Sequence, residues 1–293
     1  MAIFATKGKK GEKEMSFLEH LEELRWHIIR SVLAIVLFMI IAFVFKSFVF
    51  DTIILAPKSD TFFTNRMLCK FGQEILNTSK LCINTKHLDL ISIKMAGQLT
   101  THIAVSMVAG IILAFPIFLW EFWQFFKPAL KPNESMHAKG AVLAASILFF
   151  IGVLFGYFLL APLSTHFLGS YEVSAEVSNQ INVRSYIGTL SSICLATGVV
   201  FELPIIAYFL TKVGLITPTF MRRYRKHSLV VIFILSAIIT PPDVFSQMLV
   251  SIPLIGLYEI GIVISARVLK KKEKERDDFM NDNDSTQNEK TTS

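Results

Sequence analysis

The chain has 293 residues, of which 53% are apolar and 12% aromatic, and a formal net charge of +6. With a mean hydropathy of +0.53 and recurring apolar runs of about 20 residues, enough to cross a bilayer, this composition excludes an ordinary water-soluble domain and indicates a polytopic α-helical membrane protein. The charge is no nucleic-acid footprint, because the basic residues gather in short loops and in the tail, the distribution that orients membrane proteins.

Residues 1–14 are Lys- and Gly-rich and read as a disordered terminus. Residues 15–30, M-S-F-L-E-H-L-E-E-L-R-W-H-I-I-R, then open a helix. At about 100° per residue, Phe17, Leu18, Leu21, Leu24 and Ile28 form one apolar stripe, and Glu19, Glu22 and Glu23 point elsewhere. Ser16 and Glu19 match a capping box, and Glu22 precedes Arg25 at the spacing of a weak helical ion pair. Glu23 is left over. It follows Glu19 by one helical turn, where like charges repel, and no Lys or Arg of the helix lies between them. A merely solvated Glu23 and a cation-binding Glu23 are both open.

The helix runs straight into a first span over about residues 26–50, too long for the apolar core of a cleavable signal peptide. A polar loop, 51–100, follows, with Pro57, Gly72, Cys69 and Cys82; its apolar patch at 88–95 suggests short interfacial helices. If the loop faces an oxidising compartment, Cys69 and Cys82 could form a structural disulfide. Their spacing, without His or further Cys, argues against zinc. The second span, about 101–126, contains Pro116 and ends in the aromatic belt W-E-F-W-Q-F-F. The third span is expected over about 141–163 and the fourth over about 186–213, with Cys194 inside it as a small core residue.

T-P-P-D at 240–243 divides the remaining apolar sequence. The piece before it, 228–239, would be only about 18 Å long as a helix, against a hydrocarbon core of roughly 30 Å. The sixth span, about 244–266, carries Pro253, Gly256 and Gly261, and the tail 270–293 reads as a disordered, solvated extension. The expected fold is all-α, with six transmembrane helices in one domain over 15–269, the last two spans short. Arg222, Arg223, Arg225 and Lys226, and also Lys127, Lys131 and Lys139, fall on the side of the amino terminus, which makes both termini cytoplasmic.

Glu202, in G-V-V-F-E-L-P, lies mid-span, where an ionised carboxylate costs roughly 2.5 to 3.5 kcal/mol on insertion scales. It must be protonated, paired or facing a polar cavity; a bond to a neighbouring helix and a docking or proton site are the two readings. Glu134 shares the membrane face of Glu19 and Glu23, and by itself is an ordinary loop charge; together the three could hold planar guanidinium groups bidentately, better than ammonium groups. Asp243 is placed to cap the sixth span, with Gln247 one turn on, and Glu259 lies where Arg267 or a loop base could pair with it. The histidines are scattered, and no nucleophile motif, zincin motif or P-loop occurs. No enzyme activity, cofactor or metal is expected. A proton-coupled small-solute transporter using Glu202 and Glu259 is the competing class, with Pro204 and Pro253 as its only hints of broken helices.

F-L-E-H-L-E-E-L-R, L-A-P at 55–57, F-W-Q-F-F-K-P-A-L-K-P-N-E at 122–134, F-E-L-P at 201–204 and T-P-P-D-V-F-S-Q at 240–247 resemble, in order and topology, the TatC family, the six-span subunit of the twin-arginine protein translocase. The resemblance covers nearly the whole chain apart from the termini and the Cys loop. It implies a cytoplasmic receptor for signal peptides with consecutive arginines, in which Glu23 and Glu134 hold the guanidinium groups, with Glu19 and Phe125 at the same site. It further implies a membrane pocket at Glu202, with Gln247 and Glu259, where TatA-type and TatB-type single-span subunits dock, and structural roles for Pro57, Pro241, Pro242 and Asp243. Transport of folded proteins would use the proton-motive force in a bacterial inner membrane, within an oligomeric complex. The chain departs from the family pattern at Ser135 and Met136, in its longer Cys loop, and at Glu121, where a neutral Gln would be expected.

Overall fold

A computed structural model describes residues 17–59, 61–74, 89–126, 138–171, 174, 179–240 and 244–291. Its helices are α1 (Phe17–Val44), α2 (Phe63–Glu74), α3 (Gly97–Phe126), α4 (Ala138–Phe155), α5 (Ala161–Ser170), α6 (Val183–Val200), α7 (Leu203–Val213), α8 (Pro218–Arg223), α9 (Arg225–Ile239) and α10 (Val244–Thr291). Five stretches are long and apolar enough to cross a membrane: Leu21–Val44, Gly97–Phe125, Gly140–Ser170, Val183–Val213 and Gln247–Lys274. The helix between the fourth and fifth of these, α9, has 15 residues and is about 22 Å long. The chain is an all-α, polytopic membrane protein. One face of α1 stays bare, with Leu33 62% and Leu37 58% exposed, as suits side chains that meet lipid rather than protein.

Small residues set the closest approaches between helices. The antiparallel α1 and α3 pack along their length, and at Gly110 a Cβ atom would lie 2.8 Å from the Ile35 carbonyl oxygen. At Gly198, between α4 and α6, a Cβ atom would meet the Phe149 ring at 2.7 Å. Because lipid is as apolar as Leu, helices in a bilayer gain by approaching closely at such positions. Hydroxyl pairs hold the last helices together. Ser236 and Ser251 lie 2.9 Å apart between α9 and α10, and Thr211 and Ser265 lie 2.7 Å apart between α7 and α10.

Prolines shape the far end of the bundle. A proline within a helix removes its own N–H and frees the carbonyl four residues earlier. Pro57 follows a π-helical turn, Phe48–Ile54, and is buried at the start of a short 3₁₀ turn, Ala56–Lys58. The Ile53 carbonyl, four residues before it, accepts a hydrogen bond from the Tyr157 hydroxyl at 2.7 Å, and the Ile54 carbonyl accepts one from Tyr186 at 2.8 Å. Pro162 repeats the device: a π-helical turn, Gly156–Leu160, precedes it, and the freed Phe158 carbonyl accepts the Thr64 hydroxyl of α2. The backbone groups that these prolines leave over thus join the loop to the spans.

At three places the structure departs from the expectations or adds to them. The described part of the patch, 89–95, contains no helix; Leu90–Ile91 pairs in parallel with Ile181–Asn182, a partnership some 90 residues distant that local periodicity cannot reveal. The fourth span is found over Val183–Val213, built of two helices, α6 and α7. Pro204 sits in the first turn of α7, and because its ring clashes with the carbonyl of Val200, α6 ends there and Glu202 lies in the break. The tail is helical, with α10 running to Thr291, because no Gly or Pro follows Gly261 and Lys, Glu and Arg dominate the first turns after the span. The terminus 1–14 lies outside the described residues.

Candidate binding site

The antiparallel pairing of α1 and α3 brings the amino-terminal turns of α1 against the aromatic belt that closes α3. His27 lies one turn after Glu23 on α1 and faces α3, where its Nδ1 is 2.6 Å from Glu121 Oε2. An ionised carboxylate only accepts, so the ring donates in this bond. The other ring nitrogen, Nε2, is 4.0 Å from Glu23 Oε1. Arg30, one further turn along, brings Nη1 to 3.7 Å from the same Glu121 oxygen. The His27 and Glu121 side chains are only 9% and 11% exposed, a burial that an ion tolerates when a charged partner is at hand. Phe125, one turn after Glu121, sets its ring edge-on to His27, 6.4 Å between centroids. Below it, Trp123 packs on Phe209 of α7 at 4.4 Å.

Among the described residues, two buried atoms of this arrangement lack a hydrogen-bond partner, Trp123 Nε1 and Glu23 Oε2. Glu23 Oε2 is buried and has no hydrogen-bond partner, which costs a carboxylate oxygen on the order of 1–3 kcal/mol or more. The Glu23 side chain as a whole is 35% exposed. Glu19 belongs to α1 by its backbone, but its side chain, like the whole of Glu134, lies outside the described residues.

The second candidate site is the break between α6 and α7. Glu202 is 8% exposed, and its Oε1 is buried without a partner. Gln247 of α10 donates from Nε2 to the Phe233 carbonyl at 3.1 Å. Glu259 meets Arg225, the loop base rather than Arg267, at 2.7 Å. Pro241, Pro242 and Asp243 lie outside the described residues; Val244, which follows them, starts α10. Cys69 is disulfide-bonded and Cys194 is a free buried thiol, while Cys82 is outside the described residues. Among the described residues, no three His, Cys, Asp or Glu side chains form a metal-binding group.

A family profile described as Sec-independent protein translocase protein (TatC) matches residues 19–253. The chain belongs to the TatC family. Among its relatives, the TatC of Blattabacterium sp. subsp. Periplaneta americana is 38% identical over 265 residues, covering 90% of this chain and all of that protein. The TatC of Campylobacter jejuni is 35% identical over 260 residues, 88% of this chain and 97% of its own. A crystal structure of the twin arginine translocase receptor TatC in DDM superposes with a TM-score of 0.65 at 33% identity, covering 84% of this chain and 99% of that one. TatC proteins are components of a protein translocase and not enzymes. The chain is accordingly a non-enzymatic, multi-pass membrane subunit of the twin-arginine translocase.

Sequence reasoning singled out Glu23, Phe125 and Glu202, counted His27 among scattered histidines, and took Glu121 only as a departure from the family pattern. The signal for His27 was its i, i+4 spacing from Glu23, which a search limited to Lys and Arg passes over. Its pairing with Glu121 spans 94 residues and depends on the register of α1 against α3.

Proposed function

We propose that this TatC-family chain is the signal-peptide receptor and core of its translocase in a bacterial inner membrane, with both termini in the cytoplasm. The arginine pair of a signal peptide docks at the α1–α3 end, where Glu23 and Glu134 accept guanidinium N–H groups, with Glu19 and Phe125 beside them. The observation that carries this reading is the buried, partnerless Oε2 of Glu23. A guanidinium offers parallel donors in one plane and fits a carboxylate bidentately, whereas an ammonium group does not.

Single-span subunits of the TatA and TatB types dock on the face around Glu202, Gln247 and Glu259, where a buried carboxylate oxygen lacks a donor among the described residues. The short α9, about 22 Å long, brings the two membrane faces together beside that surface. Folded proteins then cross at the expense of the proton-motive force. Site-specific photocrosslinking from positions 23 and 134 to an Arg-Arg signal peptide tests the receptor role. Crosslinks from both positions that vanish with a Lys-Lys peptide are expected; equal crosslinking of the two peptides would contradict it.

A further inference from the structure

The receptor reading leaves unexplained why Glu23 is held with one oxygen buried and bare, when a glutamate at the end of a helix could swing into water. The side chains around it supply a cause. Glu23 Oε1 lies 4.0 Å from His27 Nε2, and His27 in turn is fixed through Nδ1 by Glu121 at 2.6 Å. Both His27 and Glu121 are about nine-tenths buried, so neither can turn away without stranding the other. The Ser31 hydroxyl donates to the His27 carbonyl at 2.9 Å, and Phe125 closes the ring from its edge. The imidazole is therefore locked on α3, and Glu23 leans toward it.

We propose that His27, anchored by Glu121, is a positioning residue for arginine recognition: it draws the Glu23 carboxylate into the α1–α3 seam, so that Oε2 faces an incoming guanidinium already stripped of water. This deepens the receptor reading and rests on it. The contribution is preorganisation. A carboxylate held in its bound orientation loses less freedom when the ligand arrives, and a fixed carboxylate plane favours the forked guanidinium over the single-point ammonium. Arg30, 58% exposed and at 3.7 Å from the Glu121 oxygen, adds to the hold on Glu121 from the rim. Glu121, which departs from the neutral residue of the family pattern, becomes the anchor of a relay from α3 to the recognition carboxylate.

The test uses the full-length protein in detergent and labelled signal peptides bearing Arg-Arg or Lys-Lys. The main variant is His27→Gln/Glu121→Gln, which removes both members together and leaves no stranded charge. Its thermal unfolding is expected to match the wild type, while its affinity for the Arg-Arg peptide falls about tenfold and its weak affinity for Lys-Lys stays, so that discrimination narrows by the same factor. Glu121→Asp, which keeps the charge and retracts the anchor by one methylene, should give a smaller loss with the same selectivity and covers the case in which the double variant does not fold. Wild-type affinity and discrimination in these variants would overturn the positioning role, as would an equal loss for both peptides. A wild-type protein that binds Arg-Arg and Lys-Lys alike would instead overturn the receptor reading itself.

Discussion

Glu121 and Glu202 are buried almost equally, 9% and 8% exposed, yet their surroundings are opposite. Glu121 has His27 and Arg30 on one oxygen. Glu202 sits in a helix break with one oxygen, Oε1, that has no hydrogen-bond partner among the described residues. A buried carboxylate is costly unless paired, so the first is a finished structural contact and the second is an unmet requirement. Among the described residues, the α1–α3 end satisfies its buried carboxylate within the chain, and an oxygen of Glu23 beside it is left without a partner. At the α6–α7 break the partnerless oxygen belongs to the buried carboxylate itself.

Removing the partner of the satisfied carboxylate breaks this contrast most severely. His27→Ala strands Glu121 and is expected to destabilise the detergent-solubilised protein by about 3 kcal/mol or more, measured by thermal unfolding. Glu202→Gln removes a carboxylate that has no partner to strand, and should change the same melting curve by less than about 1 kcal/mol. Its effect is expected in the amount of single-span subunits retained on gentle extraction; a large loss of stability with full retention would show that Glu202 has a hidden partner within the chain.

Glu23→Gln sharpens the comparison from the ligand side. It keeps the side-chain volume but removes the charge that a guanidinium needs, and is expected to weaken Arg-Arg peptide binding by about tenfold to a hundredfold, or about 1.4–2.8 kcal/mol, with little change for Lys-Lys. The smallest effect belongs to the neutral polar contacts. Ser251→Ala breaks the hydroxyl pair with Ser236 and should cost about 0.6 kcal/mol, the usual value for such bonds between membrane helices, in unfolding experiments in mixed micelles.

The long spans were legible along the chain because a bilayer demands about 20 apolar residues, and Glu23 stood out because the capping box and Arg25 account for its neighbours, though a merely solvated Glu23 fitted the sequence as well. The break at Glu202 could have been read from Pro204, since a proline ends the helix four residues before it whatever surrounds it. The helical tail was misread because charge suggests solvation, whereas Lys- and Glu-rich runs without Gly or Pro also favour helix. Beyond the reach of local reasoning were the strand pair Leu90–Ile91 with Ile181–Asn182 and the joining of Tyr157 and Tyr186 to the carbonyls freed near Pro57.

The sequence by itself determined the class of the protein, its family and its long apolar spans, because these follow from composition, local periodicity and motifs. Only the tertiary structure decided which carboxylates are satisfied. Glu121 finds His27 because Gly110 lets α1 and α3 pack closely along their length in one register, while Glu202, in the turn between α6 and α7, keeps an oxygen without a partner among the described residues. A side chain's partner is set by the geometry of helices that meet far apart in sequence, and that geometry is a property of packing.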